Sequence, residues 1–175
     1  VFLAVEAAKE AGFRNISIDL IYGLPGQTLT DFKETLRTAL SLEIVHLSGY
    51  SLIIEPKTYF YQLMKKGQLA LPGEDLEADM FELLIDDLTG HGFLHYEISN
   101  FSLPGFESKH NLTYWKNEPY FGFGAGAHSY VDGVRRSNYG PLKKYFAPLQ
   151  EGRLPVMSET ALTKEEMMEE EMFLG

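Results

Sequence analysis

The stretch from His110 to Tyr130 holds the residues of this chain that are best suited to ligand chemistry. It contains the single Trp and two of the five histidines, among closely spaced aromatic side chains. Gly122, Gly124 and Gly126 remove every second side chain from one face of a segment that otherwise predicts a strand. Such glycines usually mark a place where a ligand or another backbone comes close. A glycine-rich turn packed under aromatic side chains is the alternative, and the spacing fits no phosphate-loop template.

Asp19 is the second candidate, because it lies inside the apolar run from Ile16 to Tyr22. A carboxylate in an apolar strand is costly to bury unless something pairs with it. Strand alternation places Asp19 in phase with Ser17 and Gly23, opposite Ile18, Leu20 and Tyr22. We favour a strand face that lines a ligand-holding barrel interior. A structural Asp that bonds to neighbouring backbone or to an Arg is the alternative.

Composition limits the class of protein. The chain has 175 residues, 45% of them apolar, which is enough for one domain or slightly more with a sizeable core. A formal charge of -10 argues against a general nucleic-acid or anionic-membrane binder. No apolar run approaches the length of a bilayer span, and no signal peptide opens the chain. We expect a cytoplasmic protein with no integral membrane segment.

The elements that must position these candidates follow an alternating order. The sequence predicts helix 3–11, strand 16–22 buried on both faces, a helix after the capping box at Thr28–Asp31, and a strand over 46–53. Helix, strand, helix and strand in this order predict a parallel α/β sheet or barrel. In such folds the loops at the carboxyl ends of the strands carry the chemistry.

The later elements are predicted less regularly. Residues 75–89 predict the clearest helix, whose acidic face we interpret as solvated surface rather than a metal site. Further elements are predicted as helices over 58–66 and 141–150, a strand over 96–101, and a final helix behind a capping box at 163–166.

Four motifs in this order resemble a known family. They are Asp19-Leu-Ile-Tyr-Gly-Leu-Pro-Gly-Gln-Thr28, Tyr96-Glu-Ile-Ser-Asn-Phe101, His110-Asn-Leu-Thr-Tyr-Trp115 and Gly122-Phe-Gly-Ala-Gly-Ala-His-Ser-Tyr130. Together they resemble the oxygen-independent coproporphyrinogen III oxidase family, a branch of the radical S-adenosylmethionine (SAM) enzymes. The chain is more similar to the haem-chaperone subgroup of that family, and the likeness covers nearly its whole length.

The resemblance implies a fold and a domain organisation. The family has a partial (β/α)6 barrel followed by a smaller C-terminal domain, so we expect an α/β fold containing the C-terminal part of such a barrel. Residues 1–56 are expected to form its last βα units. Residues 57–155 would form an α+β barrel extension, and 156–175 the start of the helical C-terminal domain.

The resemblance also implies cofactors. The family holds SAM and a 4Fe-4S cluster, whose three ligands are cysteines spaced C-x3-C-x2-C near the N-terminus. This chain has no Cys. We therefore expect it to be an internal piece of a longer protein, with the cluster ligands upstream of Val1.

Four residues correspond to family site positions. Asp19 matches a strand carboxylate at the SAM site, and Ile53, at the end of the predicted second strand, matches a position that contacts SAM. His128 aligns with another SAM-adjacent position, which is apolar in the true oxidases. His110 begins the motif that marks the chaperone subgroup and is implied to contact haem, since imidazole is an axial ligand of haem iron. A loop histidine that caps a turn is the alternative for His110.

Three functions remain open on these residues. The first is a haem chaperone that binds haem and delivers it to a partner protein. The second is the oxidase itself, which decarboxylates coproporphyrinogen III through a SAM-derived radical, so whether the protein is an enzyme stays open. The third is a bare α/β scaffold that binds a partner. Arg135 and Arg136 could pair with porphyrin propionates, although a solvated surface pair is the simpler interpretation.

Overall fold

Two parallel strands and the helix between them begin the fold, in a computed structural model that describes residues 1–174. Helix α1 (Phe2–Glu10) precedes β1 (Ser17–Tyr22), α2 (Leu29–Leu40) and β2 (His46–Ser51). The hydroxyl oxygen of Thr28 accepts from the Asp31 amide at 3.2 Å, and the Asp31 carboxylate accepts from the Thr28 amide at 2.9 Å. This reciprocal pair satisfies two N–H groups at the start of α2. The predicted capping box is thereby confirmed.

The first sheet is mixed rather than parallel throughout. Strands β1 and β2 run parallel, with Ser17 opposite His46. After α3 (Tyr59–Lys65) and α4 (Glu74–Gly90) the chain forms β3 (Leu94–His95) and β4 (Asn100–Ser102). The strand order is β1-β2-β4-β3, and β4 pairs antiparallel with both of its neighbours.

Helices α2 and α4 cover one face of this sheet. Gly49 in β2 lies directly beneath Leu84 of α4, where an added Cβ would overlap the leucine side chain. The ring of Tyr22 packs on Phe32 with a centroid separation of 5.5 Å. The largest fully buried side chains are Phe32, Phe101, Leu36, Leu47, Met80, Leu84, Leu88 and Ser102. Burial of this apolar area is the main stabilisation of the unit.

Three predictions about the strands need correction. Strand β1 is not buried on both faces: Ser17, Asp19 and Ile21 are exposed, because the two helices cover only the opposite face. Strand β2 ends at Ser51, so Ile53 lies in the loop beyond it. The predicted strand 96–101 is a loop over 96–99 that leads into β4, since β3 and β4 form a short hairpin.

The chain from Ser108 onward forms a second unit, separate from the unit Val1–Glu107. Its elements are α5 (Lys109–Trp115), β5 (His128–Val131), β6 (Val134–Asn138), α6 (Leu142–Gln150), β7 (Val156–Ala161) and α7 (Lys164–Leu174). Strands β5, β6 and β7 form an antiparallel sheet in chain order. Thr163 and Glu166 form the predicted capping box at α7.

The sequence did not predict this second sheet, and two features of the central stretch differ from expectation. His110 lies on helix α5 rather than in a loop. The glycine run is not a strand: it is an irregular loop, because Gly124 and Gly126 have φ angles of 108° and 74°. The predicted domain ranges 1–56, 57–155 and 156–175 do not coincide with the two units and stay a prediction. Within residues 1–174, no helix is long and apolar enough to cross a membrane.

Candidate functional site

In the first unit, one face of the sheet is lined with polar side chains. Strand register places Asp19 of β1 opposite Ser48 of β2, and Ser48 opposite Asn100 of β4. The neighbouring row is Ser17, His46 and Ser102, in the same strands. Because side chains alternate along a strand, both rows lie on the face opposite the helices. Asp19 is exposed on this face, whereas Ser48 and Asn100 are buried.

His46 joins three elements of this polar face. Its Nδ1 lies 2.7 Å from the Ser17 hydroxyl, and its Nε2 lies 2.7 Å from the hydroxyl of Tyr96. Burial lowers the pKa of His46 below its ordinary value of 6.5, and the carboxylates of Asp19 and Glu97 oppose that shift. A neutral imidazole at the centre of the chain of hydrogen bonds fits this shift.

His46 was not predicted as a site residue, because the strand was judged by its apolar content alone. The signal was present in the alternation of His46, Ser48 and Tyr50, which places them on one strand face. That alternation matches the phase of Ser17 and Asp19 once the two strands are paired.

Three buried polar atoms on or beside this face have no hydrogen-bond partner within the described chain. They are Glu97 Oε1, Asn100 Oδ1 and Ser102 Oγ. A buried acceptor without a partner costs free energy, which a ligand donor or an ordered water can recover. The first unit therefore offers these three oxygen atoms, and the exposed carboxylate of Asp19, to a ligand rich in N–H and O–H groups. SAM is a ligand of that kind, so these residues fit it.

Ile53 lies apart from the polar face, in the loop after β2. Its side chain is 77% exposed and lines an apolar cleft of about 340 Å³. The lining residues all come from the segment 53–60, so Asp19 does not contribute to this cleft. Asp19 and Ile53 therefore do not line a common cleft among the described residues.

In the second unit, His110 and His128 line one cleft. Its volume is about 500 Å³, within the range of roughly 300–1,000 Å³ that is usual for ligand sites. Helix α5 provides His110 and Tyr114, and the start of β5 provides His128. The remaining lining residues are Tyr120, Phe121, Gly122, Phe123, Gly126 and Ala127. We refer to this site as the aromatic cleft.

The rings of the aromatic cleft are arranged edge to face along one side. Tyr114 meets His110 with centroids 4.8 Å apart and Tyr120 with centroids 4.6 Å apart, both nearly perpendicular. The Tyr114 hydroxyl lies 3.0 Å from Nε2 of His110. Phe121 and Phe123 are 71% and 88% exposed and stack on each other. Large apolar side chains held this far into solvent are typical of a binding surface.

The glycines explain how the loop of the aromatic cleft is formed. A Cβ on Gly122 would overlap the carbonyl oxygen of His128, so only glycine allows this approach of the two backbones. The close backbone approach expected from the sequence is therefore observed. The side-chain amide of Asn138 donates to the carbonyl of Gly124 at 2.9 Å, and the Gly126 amide donates to Tyr139 at 3.0 Å. These bonds hold the loop against the sheet.

The two predicted cations lie on adjacent positions of β6 and both have acidic partners. Arg135 donates from Nε to Glu170 at 3.0 Å and lies over the ring of Tyr130 at 4.5 Å. The Glu170 carboxylate raises the pKa of Arg135. Arg136 donates from Nε to Glu159 at 2.6 Å. The arginines are therefore ion-paired rather than a merely solvated pair.

Residues 1–174 contain no group of three or more His, Asp or Glu side chains placed to hold a metal ion. The whole chain also lacks Cys. A 4Fe-4S cluster with cysteine thiolate ligands does not fit the residues present.

Comparison with known proteins gives a consistent set of relatives, although no family model matches the chain. The chain is 55% identical to the heme chaperone HemW of Bacillus subtilis (strain 168) over 175 residues, which is all of this chain and 46% of that protein. Identity is 50% over 177 residues with HemW of Lactococcus lactis, again 46% of the relative. It is 35% over 174 residues with HemW of Mycobacterium tuberculosis, covering 98% of this chain and 45% of that protein.

One solved structure is similar over most of the chain. It is coproporphyrinogen III oxidase (HemN) from Escherichia coli, described as a radical SAM enzyme, with a TM-score of 0.77 and 23% identity. The match covers 98% of this chain and 42% of that structure. At this identity the likeness shows the fold alone. The chain spans about half the length of the curated relatives it matches.

Proposed function

This chain belongs to the oxygen-independent coproporphyrinogen III oxidase-like family, within its haem-chaperone subgroup, and we propose that the protein binds haem and delivers it to an acceptor protein. The aromatic cleft carries the proposal. It combines an imidazole, edge-to-face rings and two protruding phenylalanines in a volume suited to a small ligand.

His110 is the proposed iron ligand. Its helix α5 presents the imidazole at the cleft surface, where it is exposed rather than buried. Neutral imidazole binds haem iron through a ring nitrogen, and here Nε2 carries only the hydrogen bond to Tyr114 among the described residues. The flanking rings of Tyr114, Tyr120 and Phe121 offer apolar and π contacts to the flat macrocycle.

SAM is the second proposed ligand, with Asp19, Ile53 and His128 as its contacts. When bound, SAM presents amino and hydroxyl groups as hydrogen-bond donors and a flat adenine ring. The exposed carboxylate of Asp19 can accept from such donors, and Ile53 offers an exposed apolar surface. His128 lines the aromatic cleft, so it serves the haem site as well as any SAM contact. This chain provides no thiolate to hold a 4Fe-4S cluster.

Two assays on the full-length protein, purified without oxygen, separate the chaperone from the oxidase. The first follows transfer of bound haem to apomyoglobin, used as a probe acceptor, by absorbance. The second follows loss of coproporphyrinogen III in the presence of SAM and a reductant. Haem transfer without coproporphyrinogen consumption is the expected outcome. Coproporphyrinogen turnover without tight haem binding would identify an oxidase and overturn the proposal.

The acceptor protein and the cellular site complete the proposal. We propose that delivery takes place in the cytoplasm, with the acceptor contacting the exposed phenylalanines at the rim of the aromatic cleft. Phe123 is the most exposed of these side chains. Because Phe123 also lines the aromatic cleft, a Phe123→Ser variant is expected to weaken haem binding, and to slow transfer to the acceptor by more than the change in haem affinity explains.

A further inference from the structure

A second, smaller cleft of about 220 Å³ adjoins the aromatic cleft. The two clefts share Tyr120 and His128 as lining residues. The remaining lining residues of the small cleft are Ser129, Arg135, Arg136, Ser137, Ser158 and Thr160. One cleft is therefore aromatic and the next is cationic and hydroxyl-rich, with a common wall between them.

Strand register explains why the small cleft is polar. His128 of β5 pairs with Ser137 of β6, which pairs with Ser158 of β7. In the next row of the same face, Arg135 pairs with Thr160 of β7. Positions two apart along a strand point to the same side of a sheet. The sheet thus presents a row of hydroxyls beside a cation, starting from the shared histidine.

Arg135, the cation on this face of the sheet, keeps a donor for a ligand. A guanidinium has five N–H donors. Arg135 uses Nε and Nη2 on Glu170, at 3.0 and 2.5 Å, which leaves its Nη1 group within the described residues. Its side chain is about one third exposed, so solvent or a ligand reaches it. Arg136, the next residue of β6, points to the opposite face, where its Nε donates to Glu159.

The serines add a donor of their own. The hydroxyls of Ser137 and Ser158 lie 2.5 Å apart, and one of them donates to the other. The hydroxyl hydrogen of the accepting serine is not used in that bond. It is therefore able to point at an acceptor in the cleft.

We propose that the small cleft is a carboxylate subsite, which receives the propionates of the tetrapyrrole whose ring lies in the aromatic cleft. This inference rests on the proposed function, since haem carries its two carboxylates on one edge of an otherwise apolar ring. An anion at the edge of an apolar site needs a cationic partner to offset its lost hydration. Charge-assisted bonds from Arg135 provide that partner.

Glu170 has a specific place in this arrangement. Its carboxylate neutralises Arg135 when no ligand carboxylate is present, and it competes with the ligand for the same guanidinium. Removing the Glu170 charge leaves a stronger positive potential in the cleft. If the ion pair served folding alone, Arg135→Gln and Glu170→Gln would weaken haem binding equally, because either change breaks the pair.

The test is a haem titration of the full-length protein, followed by absorbance. The variants are Arg135→Gln and Glu170→Gln, with Arg153→Gln as the matched control. Arg153 pairs with Glu151, is well exposed and lines neither cleft. Each protein is titrated with haem and, in parallel, with haem dimethyl ester, in which the propionates carry no charge.

Arg135→Gln is expected to weaken haem binding by roughly tenfold or more, as for other hydrogen bonds to charged groups. Binding of the dimethyl ester should be the same in this variant as in the wild type. Glu170→Gln should bind haem at least as tightly as the wild type, and Arg153→Gln should match it.

Two results would overturn the subsite. One is an equal loss of haem and dimethyl ester binding in Arg135→Gln. The other is weakened haem binding in Glu170→Gln to the level of Arg135→Gln. A wild-type protein that binds neither compound would instead overturn the proposed function, and the subsite with it.

Discussion

The hydroxyl of Tyr114 lies 3.0 Å from Nε2 of His110, one helical turn away on α5. The two rings are nearly perpendicular, with centroids 4.8 Å apart. The tyrosine therefore occupies the nitrogen through which an imidazole at the cleft surface would bind iron. Coordination of iron at Nε2, as proposed, would break this hydrogen bond, so Tyr114 would compete with haem iron for that nitrogen.

Replacing Tyr114 with Phe tests this competition. The ring and its contacts stay, whereas the hydroxyl that bonds to Nε2 is lost. Since a hydrogen bond contributes about 0.5–1.5 kcal/mol net, haem affinity should rise by about two- to tenfold. Absorbance titration gives the affinity, and Tyr145→Phe on α6 is the control. Weaker haem binding in Tyr114→Phe would mean that the hydroxyl itself contacts the ligand.

The glycine loop provides a test of packing in the second unit. An alanine at Gly122 would overlap the His128 carbonyl, so the loop or β5 must shift. Overpacking of this kind costs about 1–3 kcal/mol of the free energy of unfolding. Gly140 is the matched control, because an added Cβ there meets no atom within 4 Å. Urea unfolding should show a lower midpoint for Gly122→Ala and an unchanged one for Gly140→Ala; equal midpoints would contradict the observed backbone approach.

His46 predicts a pH dependence of stability. Its pKa is lowered by burial in the folded state, with Asp19 and Glu97 opposing the shift and Ser17 and Tyr96 bonded to the ring. Below pH 6.5 the His46 side chain is protonated in the unfolded chain, whereas its lowered pKa keeps it neutral to lower pH in the folded chain. The free energy of unfolding should therefore be fully retained above pH 6.5 and decrease as the pH falls.

Replacing His46 with Gln should remove this contribution. Unfolding of the variant, measured in urea between pH 7.5 and pH 5, should depend less on pH than that of the wild type. The variant is expected to be less stable at pH 7.5, because it loses one or both hydrogen bonds of the imidazole. Identical pH slopes for the two proteins would show that His46 does not carry the dependence.

Much of the first unit was predictable from local patterns. Strand β1, helices α2 and α4 and the capping box at Thr28 follow from periodicity and end signals, and the structure confirms them. The family prediction, made from four motifs, is confirmed by the relatives. The fold prediction is confirmed by the similar solved structure. The hydrogen-bonded chain at His46 was not predictable from periodicity, because it depends on which strands pair and in which register.

The second unit was predictable only in part, for physical reasons. Strands β6 and β7 are short and mostly polar, so neither alternation nor apolar content distinguishes them from loops. Helix α5 has several residues of low helix propensity. Arg135 and Glu170 lie 35 positions apart, so their pairing depends on tertiary structure. The glycine spacing did identify the cleft, although it predicted a strand where positive φ angles form a loop.

The most direct test of the proposed haem site is a haem titration of the full-length protein. Three forms are compared: the wild type, His110→Ala and the control His91→Ala. His91 is an exposed histidine at the end of α4 that lies outside the aromatic cleft. We expect the wild type and His91→Ala to bind haem stoichiometrically. In His110→Ala the haem affinity should be lowered about tenfold or more, and the Soret band should be altered. Haem binding by His110→Ala with wild-type affinity and spectrum would contradict the proposal that His110 is the iron ligand.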